Sequence, residues 1–167
     1  MIGQADIQQA IYRLWDNYDL DDRFNNPYWF PKTQRDEYLV LHDTAVDDET
    51  PWPYCIVQIG NPVTASRAAY DRSSKRREAD TPLTFMTHAR DANNRGVNGK
   101  DLARQLAEVI IEHYGGHPEK APKRMRLDYG GVLHCQYQTD YCVPLGNQEF
   151  RWVIEYLIKS DVPEQVT

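Results

Sequence analysis

The chain has no long hydrophobic run and few cysteines. None of its apolar stretches approaches the roughly 20 residues that a membrane-spanning helix needs. The first ten residues lack the basic and then apolar layout of a signal peptide. The three cysteines are an odd number, which argues against a disulfide framework. We therefore expect a protein of a reducing cytoplasm with no membrane partner.

Motifs of nucleotide-dependent and hydrolytic enzymes are also missing from the sequence. There is no P-loop, no G-x-S-x-G and no H-E-x-x-H. Glu108 and Glu112 are four positions apart on a predicted helix, where they lie opposite its apolar stripe and are expected to face solvent. We therefore expect no catalytic residues and no cofactor.

Spacing likewise disfavours a metal site. His113 and His117 are four residues apart, but two glycines lie between them and should end the helix. Cys135 and Cys142 are seven residues apart on a predicted strand, which should place them on opposite faces of the sheet. Neither pair has the spacing of a zinc site, so no metal is expected.

The composition is that of one ordinary globular domain. The 167 residues are 41% hydrophobic, 26% charged and 11% aromatic, which argues against disorder and against repetitive structure. We predict a single domain over residues 1–160 and a flexible tail over residues 161–167.

Hydrophobic periodicity predicts two amphipathic helices and several strands. The helices are expected over residues 4–18 and 98–114, and the strands over residues 37–42, 54–59, 82–89, 123–129, 132–143 and 149–159. Short connections between most strands predict a largely antiparallel sheet. The fold class is therefore α+β, with two layers: a sheet of about five to six strands and two helices packed on it.

Two of the predicted strands show a clear alternation of side chains. In the strand over residues 82–89, one face is expected to carry Leu83, Phe85, Thr87 and Ala89, and the other Thr84, Met86 and His88. In the strand over residues 132–143, one face is expected to carry Leu133, Cys135, Tyr137, Thr139 and Tyr141.

Charge is distributed unevenly along the chain. Residues 1–50 hold 11 acidic and 4 basic side chains, residues 51–100 hold 4 and 8, and residues 101–167 hold 10 and 7, which together give the net charge of -6. A subunit that is acidic on one side and basic on another is suited to head-to-tail contact with its own copy. The alternative is that both regions are solvated surfaces without a partner.

A polar connection over residues 63–80 carries five of the eight basic residues of the middle segment. These are Arg67, Arg72, Lys75, Arg76 and Arg77. Arginine pairs well with carboxylates across protein interfaces, so contact with another subunit is one interpretation. Passive solubility is a second interpretation, and contact with DNA is a third that the acidic total disfavours.

Three adjacent aromatic residues, Tyr28, Trp29 and Phe30, lie between two prolines. One interpretation is that they close the open edge of the core. The other is that they anchor a second protein, because aromatic side chains concentrate at the centres of interfaces.

The order of several motifs resembles that of a known family. The motifs are P-W-P-Y-C-I-V-Q-I-G at residues 51–60, T-P-L-T-F-M-T-H-A at 81–89, N-G-K-D-L-A-R-Q-L-A-E-V-I at 98–110 and F-R-W-V-I-E-Y-L-I at 150–158. With the N-terminal helix, this order resembles the tail terminator, or tail completion, proteins of long-tailed bacteriophages, of which the phage lambda tail terminator is the type example.

The resemblance implies a virion protein that acts through shape and assembly. Such a subunit forms a hexameric ring at the head-proximal end of the tail tube, stops tube polymerisation and offers a docking surface to the head connector. The resemblance implies that the protein assembles in the host cytoplasm and is located in the tail or neck of the virion. It also implies that DNA passes through the lumen of the ring without sequence-specific binding and that no cofactor is needed. The connection over residues 63–80 would then contact a neighbouring subunit or the tube. Another phage neck or head completion protein, or a small intracellular enzyme or ligand-binding domain, are the alternatives.

Overall fold

The computed structural model of the protein describes two helices and seven strands. The described residues are 4–17, 41–43, 46, 52–61, 63–64, 76–92, 96–115, 124–126 and 132–163. In chain order the elements are α1 (Gln4–Asn17), β1 (Leu41–His42), β2 (Tyr54–Ile59), β3 (Val63–Thr64), β4 (Arg76–Arg90), α2 (Gly99–Tyr114), β5 (Arg124–Arg126), β6 (Val132–Gly146) and β7 (Glu149–Pro163).

Helix α2 begins and ends where its sequence signals predict. The side chain of Asn98 accepts a hydrogen bond from the Asp101 amide at 3.0 Å, which caps the first turn. Gly115 ends the helix with a φ of 74°, and its amide donates to the Ile111 carbonyl at 2.8 Å. One apolar stripe of the helix is buried: Leu102, Leu106, Ile110 and Tyr114.

Helix α1 buries a similar stripe in the same core and contacts β2 and β5. Ile7, Ile11 and Trp15 are buried, as the three- and four-residue spacing predicts. The Tyr114 hydroxyl donates to the Ile11 carbonyl at 2.7 Å and joins the two helices. This bond satisfies a buried hydroxyl and fixes where the helices meet.

All the described strands belong to one sheet in the order β1-β2-β4-β7-β6-β5, with β3 paired to one part of β4. Every pair is antiparallel except β1 and β2, which are parallel. The α+β class and the largely antiparallel sheet are therefore confirmed. The described sheet has seven strands, against the five to six predicted, because Val63 and Thr64 form a short strand where the sequence predicts a loop.

Strands β4 and β7 extend beyond their predicted ends. Their register is continuous from Arg76, opposite Pro163, to Arg90, opposite Glu149. The prediction that residues 63–80 lack regular structure was therefore wrong at both ends of that range, where β3 lies and where β4 begins. At the other end of this pairing, β7 continues three residues into the predicted tail. A long neighbouring strand provides hydrogen-bond partners, so polar segments without alternation still form strand.

A bulge in β6 corrects one predicted alternation. Tyr137 pairs with Tyr156 and Thr139 with Glu155, so Gln138 is an extra residue. Beyond this bulge the faces exchange, and Thr139 and Tyr141 do not share the face of Tyr137. The expectation that Cys135 and Cys142 lie on opposite faces was wrong for the same reason.

The two faces of the sheet bury different groups. The helix-covered face holds the main core, built around the large side chains Phe85, Leu83 and Ile154. The second face holds a smaller buried cluster of Tyr54, Ile56, Met86 and Val153. The predicted alternation in the strand over residues 82–89 is confirmed by this division.

Candidate functional site

The residues that the sequence singled out as contacts fall largely outside the described structure. Arg67, Arg72, Lys75, Tyr28, Trp29 and Phe30 belong to segments outside the described residues. Arg76 and Arg77 are the first two residues of β4, where their backbone pairs with Pro163 and Val162 of β7. These two basic positions are therefore on a strand of the sheet and not in a loop.

A cluster of aromatic rings lies on the second face of the sheet, at the start of β2. The rings of Tyr54 and His88 are stacked, with centroids 4.6 Å apart and planes inclined by 12°. Trp52 meets Tyr54 edge-on, at 4.9 Å between centroids. Alternation places Tyr54 and His88 on one face, and the register of β2 with β4 places them directly opposite each other.

An arginine from β7 completes this cluster. Nε of Arg151 donates to Nε2 of His88 at 2.9 Å. Because a guanidinium has no acceptor, Nε2 carries the lone pair, and Nδ1 carries the proton that faces the Met86 carbonyl at 3.2 Å. Both ring nitrogens are thus engaged, and His88 in this state offers no free nitrogen as a general base.

Burial and charge keep His88 neutral. The residue is 2% exposed. The pKa of His88 is lowered to about 4, mainly by burial and also by the positive charge of Arg151, while the hydrogen bond to the Met86 carbonyl partly opposes the shift. The cluster therefore holds an uncharged imidazole beside a permanent cation.

A second guanidinium lies at the same end of the face. Arg90 is exposed and places its Cζ 5.6 Å from the centroid of the Trp52 ring, a cation–π contact. Glu149 lies opposite Arg90 in the β4–β7 register. Burial raises the pKa of the Tyr54 hydroxyl, and the charge of Glu149 adds to the rise while that of Arg151 opposes it. Two cations, one carboxylate and three rings thus share one end of the sheet.

Sequence reasoning missed this cluster because its parts are far apart in the chain. The alternation of Met86 and His88 is visible in the sequence, but their link to Arg151 depends on a strand register across 63 positions. One feature of the sequence could have indicated the cluster: aromatic and basic residues occupy alternate positions near the ends of two predicted strands.

A second polar group lies on the helix-covered face, beside the bulge of β6. Asp140 accepts hydrogen bonds from the Tyr137 hydroxyl and from Nε1 of Trp152, the latter at 2.7 Å. Partial burial and the bond to Asp140 raise the pKa of Tyr137 to about 12. The bulge turns Asp140 onto the face of Tyr137 and Trp152, so a carboxylate meets two donors there.

Two of the three thiols are buried, whereas the acidic pair on α2 is exposed. Burial raises the pKa of Cys135 to about 12, and it also raises the pKa of Cys55. Glu108 forms an exposed ion pair with Arg104 at 2.8 Å, as expected of a solvated face. Among the described residues, no three His, Cys, Asp or Glu side chains are grouped so as to hold a metal ion.

Within the part of the chain that the structure describes, neither α1 nor α2 combines the length and the apolar character of a bilayer-crossing segment.

Comparison with known proteins gives a distant structural likeness. No protein-family model matches the sequence, and no curated protein matches it. The chain is similar to a chain in a solved structure described as the virion of a native gene transfer agent (GTA) particle. The sequence identity is 14%, the TM-score is 0.46, and the match covers 74% of this chain and 79% of that chain. A likeness at this level assigns neither a family nor a function.

Proposed function

We propose that this protein is a structural component of a phage-like virion that resembles the tail terminators. In this role its subunits form a homohexameric ring on the head-proximal end of the tail tube, stop tube polymerisation and join the tube to the head connector. DNA passes through the lumen without sequence-specific contact. No catalytic residue or cofactor takes part, and the protein is located in the tail or neck after assembly in the host cytoplasm.

One observation carries the proposal: the four motifs of the resemblance form a single contiguous unit. Residues 51–60 include β2, residues 81–89 lie in β4, residues 98–110 lie in α2 and residues 150–158 lie in β7. Strands β2, β4 and β7 are neighbours in the sheet, and α2 packs on β4 and β7. The motifs therefore specify one packed unit, which supports the interpretation of their order as the mark of a common architecture.

The dimensions of the sheet suit a subunit that contacts others. Strands β4, β6 and β7 have 15 residues each, which corresponds to about 50 Å at 3.3–3.4 Å per residue. Helix α2 has 16 residues and is about 24 Å long. The sheet therefore extends beyond the ends of α2, and the additional length supplies surface for neighbouring subunits.

The basic residues near the start of β4 are the proposed contacts to a neighbour or to the tube. They are Arg67, Arg72, Lys75, Arg76 and Arg77, with Tyr28, Trp29 and Phe30 as weaker candidates. We expect the double charge reversal R76E/R77E to weaken assembly, most strongly at low salt. The exposed Arg104 on α2 offers a control, R104E. Equal assembly of both variants would exclude Arg76 and Arg77 as contacts.

Native mass spectrometry of the full chain, alone and with tail tubes, tests the proposed function. We expect a hexamer in solution or hexameric rings on the tubes. A species that stays monomeric and never binds tubes would contradict the tail terminator role. Binding to the head connector without binding to tubes would instead identify another neck protein.

A further inference from the structure

Two guanidinium groups on the second face have donors that no described acceptor uses. Arg151 bonds to His88 through Nε, which leaves the four N–H groups of its two Nη atoms. Within the described residues, the Arg90 guanidinium contacts the Trp52 ring and forms no ion pair. By contrast, Arg104 and Lys159 form ion pairs with Glu108 and Asp80. Among the described residues, neither cation of this cluster forms an ion pair with a carboxylate.

The two arginines are placed to act together. Arg90 pairs with Glu149 in the register, and Arg151 pairs with His88. Arg90 and Arg151 are therefore diagonal neighbours on the same face, with main chains about 7–8 Å apart. Arg90 lies over the Trp52 ring and Arg151 bonds to His88, and the rings of Trp52 and His88 both pack against Tyr54. We call this group of five residues the Arg90–Arg151 site.

We propose that the Arg90–Arg151 site binds a carboxylate side chain of a second copy of this chain. This inference rests on the proposed function, because it supplies one contact of a self-assembling ring. The planar arginine fork matches the two oxygens of a carboxylate. Arginine, tryptophan and tyrosine are also the residues that contribute most at protein interfaces.

Charge complementarity points to a second copy as the partner. The first 50 residues hold 11 acidic and 4 basic side chains, and the whole chain has a net charge of -6. The same part of a neighbouring copy's sequence therefore contains many more carboxylates than cations. The acidic net charge of the chain disfavours a polyanion such as DNA, whose binding depends on bulk positive charge.

Self-association of the full chain, measured by sedimentation equilibrium and on tail tubes, tests this proposal. The variants are R90E and R90Q, which alter an exposed side chain and should leave the fold intact. The matched control is R104E, an exposed arginine on α2. We expect R90E to weaken association at least tenfold and R90Q to weaken it less, while R104E remains within about twofold of the wild type. Circular dichroism checks that each variant is folded.

The possible outcomes distinguish a failure of this inference from a failure of the proposed function. Hexamers of R90E with wild-type affinity would overturn the Arg90–Arg151 site and leave the ring role intact. A wild-type chain that is monomeric both alone and with tubes would overturn both. If a 20-base-pair DNA duplex binds the wild type and not R90E, while association is unchanged, the site binds phosphate and the assignment to a second copy is wrong.

Discussion

Arg151 donates its Nε–H to Nε2 of His88, and the two residues lie directly opposite each other on neighbouring strands β7 and β4. The bond holds a buried imidazole in its neutral form next to a cation. Protonation of His88 would place two positive groups within 2.9 Å of each other and remove the lone pair that accepts the bond. The stability of the fold should therefore depend on pH through this residue.

The first prediction concerns that pH dependence. The folded pKa of His88 is about 4, against 6.5 for an ordinary histidine. Between these two pH values the unfolded chain therefore binds more protons than the folded chain. The free energy of unfolding consequently decreases as the pH falls from about 6.5 to about 4. The free energy of unfolding should fall by up to about 1.4 kcal/mol per pH unit from this group. Urea titrations of the wild type and H88Q at several pH values measure the slope.

The variant H88Q keeps a polar side chain at this position and removes its titration. Its stability should vary less between pH 7 and pH 4 than that of the wild type, since the remaining acidic groups are common to both proteins. If the free energy of unfolding varied with pH equally in the two proteins, His88 would be protonated in the folded state as easily as in the unfolded state.

The second prediction concerns the carboxylate beside the β6 bulge. The substitution Asp140→Ala removes the acceptor of the Trp152 indole and of the Tyr137 hydroxyl. We expect a loss of about 1–3 kcal/mol in the free energy of unfolding, because half-buried donors lose their partner. Asp140→Asn retains one carbonyl oxygen and should cost less. A loss for the Asn variant as large as that for the Ala variant would mean that the charge, and not the acceptor, stabilises this site.

The third prediction concerns Gly99 at the first turn of α2. A Cβ at this position would lie 2.6 Å from the carbonyl carbon of Arg90 and 2.7 Å from the amide nitrogen of Asp91. The Gly99 amide also donates to Oδ1 of Asp91 at 2.5 Å. Gly99→Ala should therefore cost about 1–3 kcal/mol, because backbone atoms have to move apart.

The exposed neighbour Lys100 is the control for that substitution. Lys100→Ala changes a side chain on the solvent side of the same turn and should alter stability by less than about 0.5 kcal/mol. Thermal or chemical denaturation compares the two variants. A neutral Gly99→Ala would indicate that α2 and the end of β4 are not as close as the structure places them.

The fourth prediction concerns the order in which the three thiols react. Cys55 and Cys135 are fully buried, and burial raises the pKa of each, whereas Cys142 is half-buried. In the native protein a thiol reagent such as DTNB should modify Cys142 first, because the other thiols are neither ionised nor accessible. All three should react after unfolding in denaturant. Rapid reaction of all three in the native state would contradict the placement of Cys55 and Cys135 in the core.

Local signals in the sequence were sufficient to predict much of the fold. The Asn98 cap, the Gly115 terminator and the apolar stripe of α2 act within one or two helical turns, so the limits of α2 are readable from neighbouring residues. The alternation of Phe85 and Met86 between two faces follows from the period of a strand in the same way.

Non-local pairing explains what the sequence did not reveal. The first residues of β4 are mostly polar, and neither they nor the last residues of β7 show a clear alternation, yet each segment forms strand because the other is its partner. The extra residue Gln138 reverses the faces of the residues from Thr139 to Pro144, which no period-two pattern can indicate. The link between His88 and Arg151 depends on that same long-range register.

The length of tail tubes assembled with and without this protein tests the central claim most directly. Electron microscopy of tubes polymerised from the tube protein gives the length distribution in each case. If the protein caps the head-proximal end, it should stop elongation and leave a ring of density at one end of each tube. Tubes of unchanged length with bare ends, at protein concentrations that saturate any binding, would contradict the proposed role.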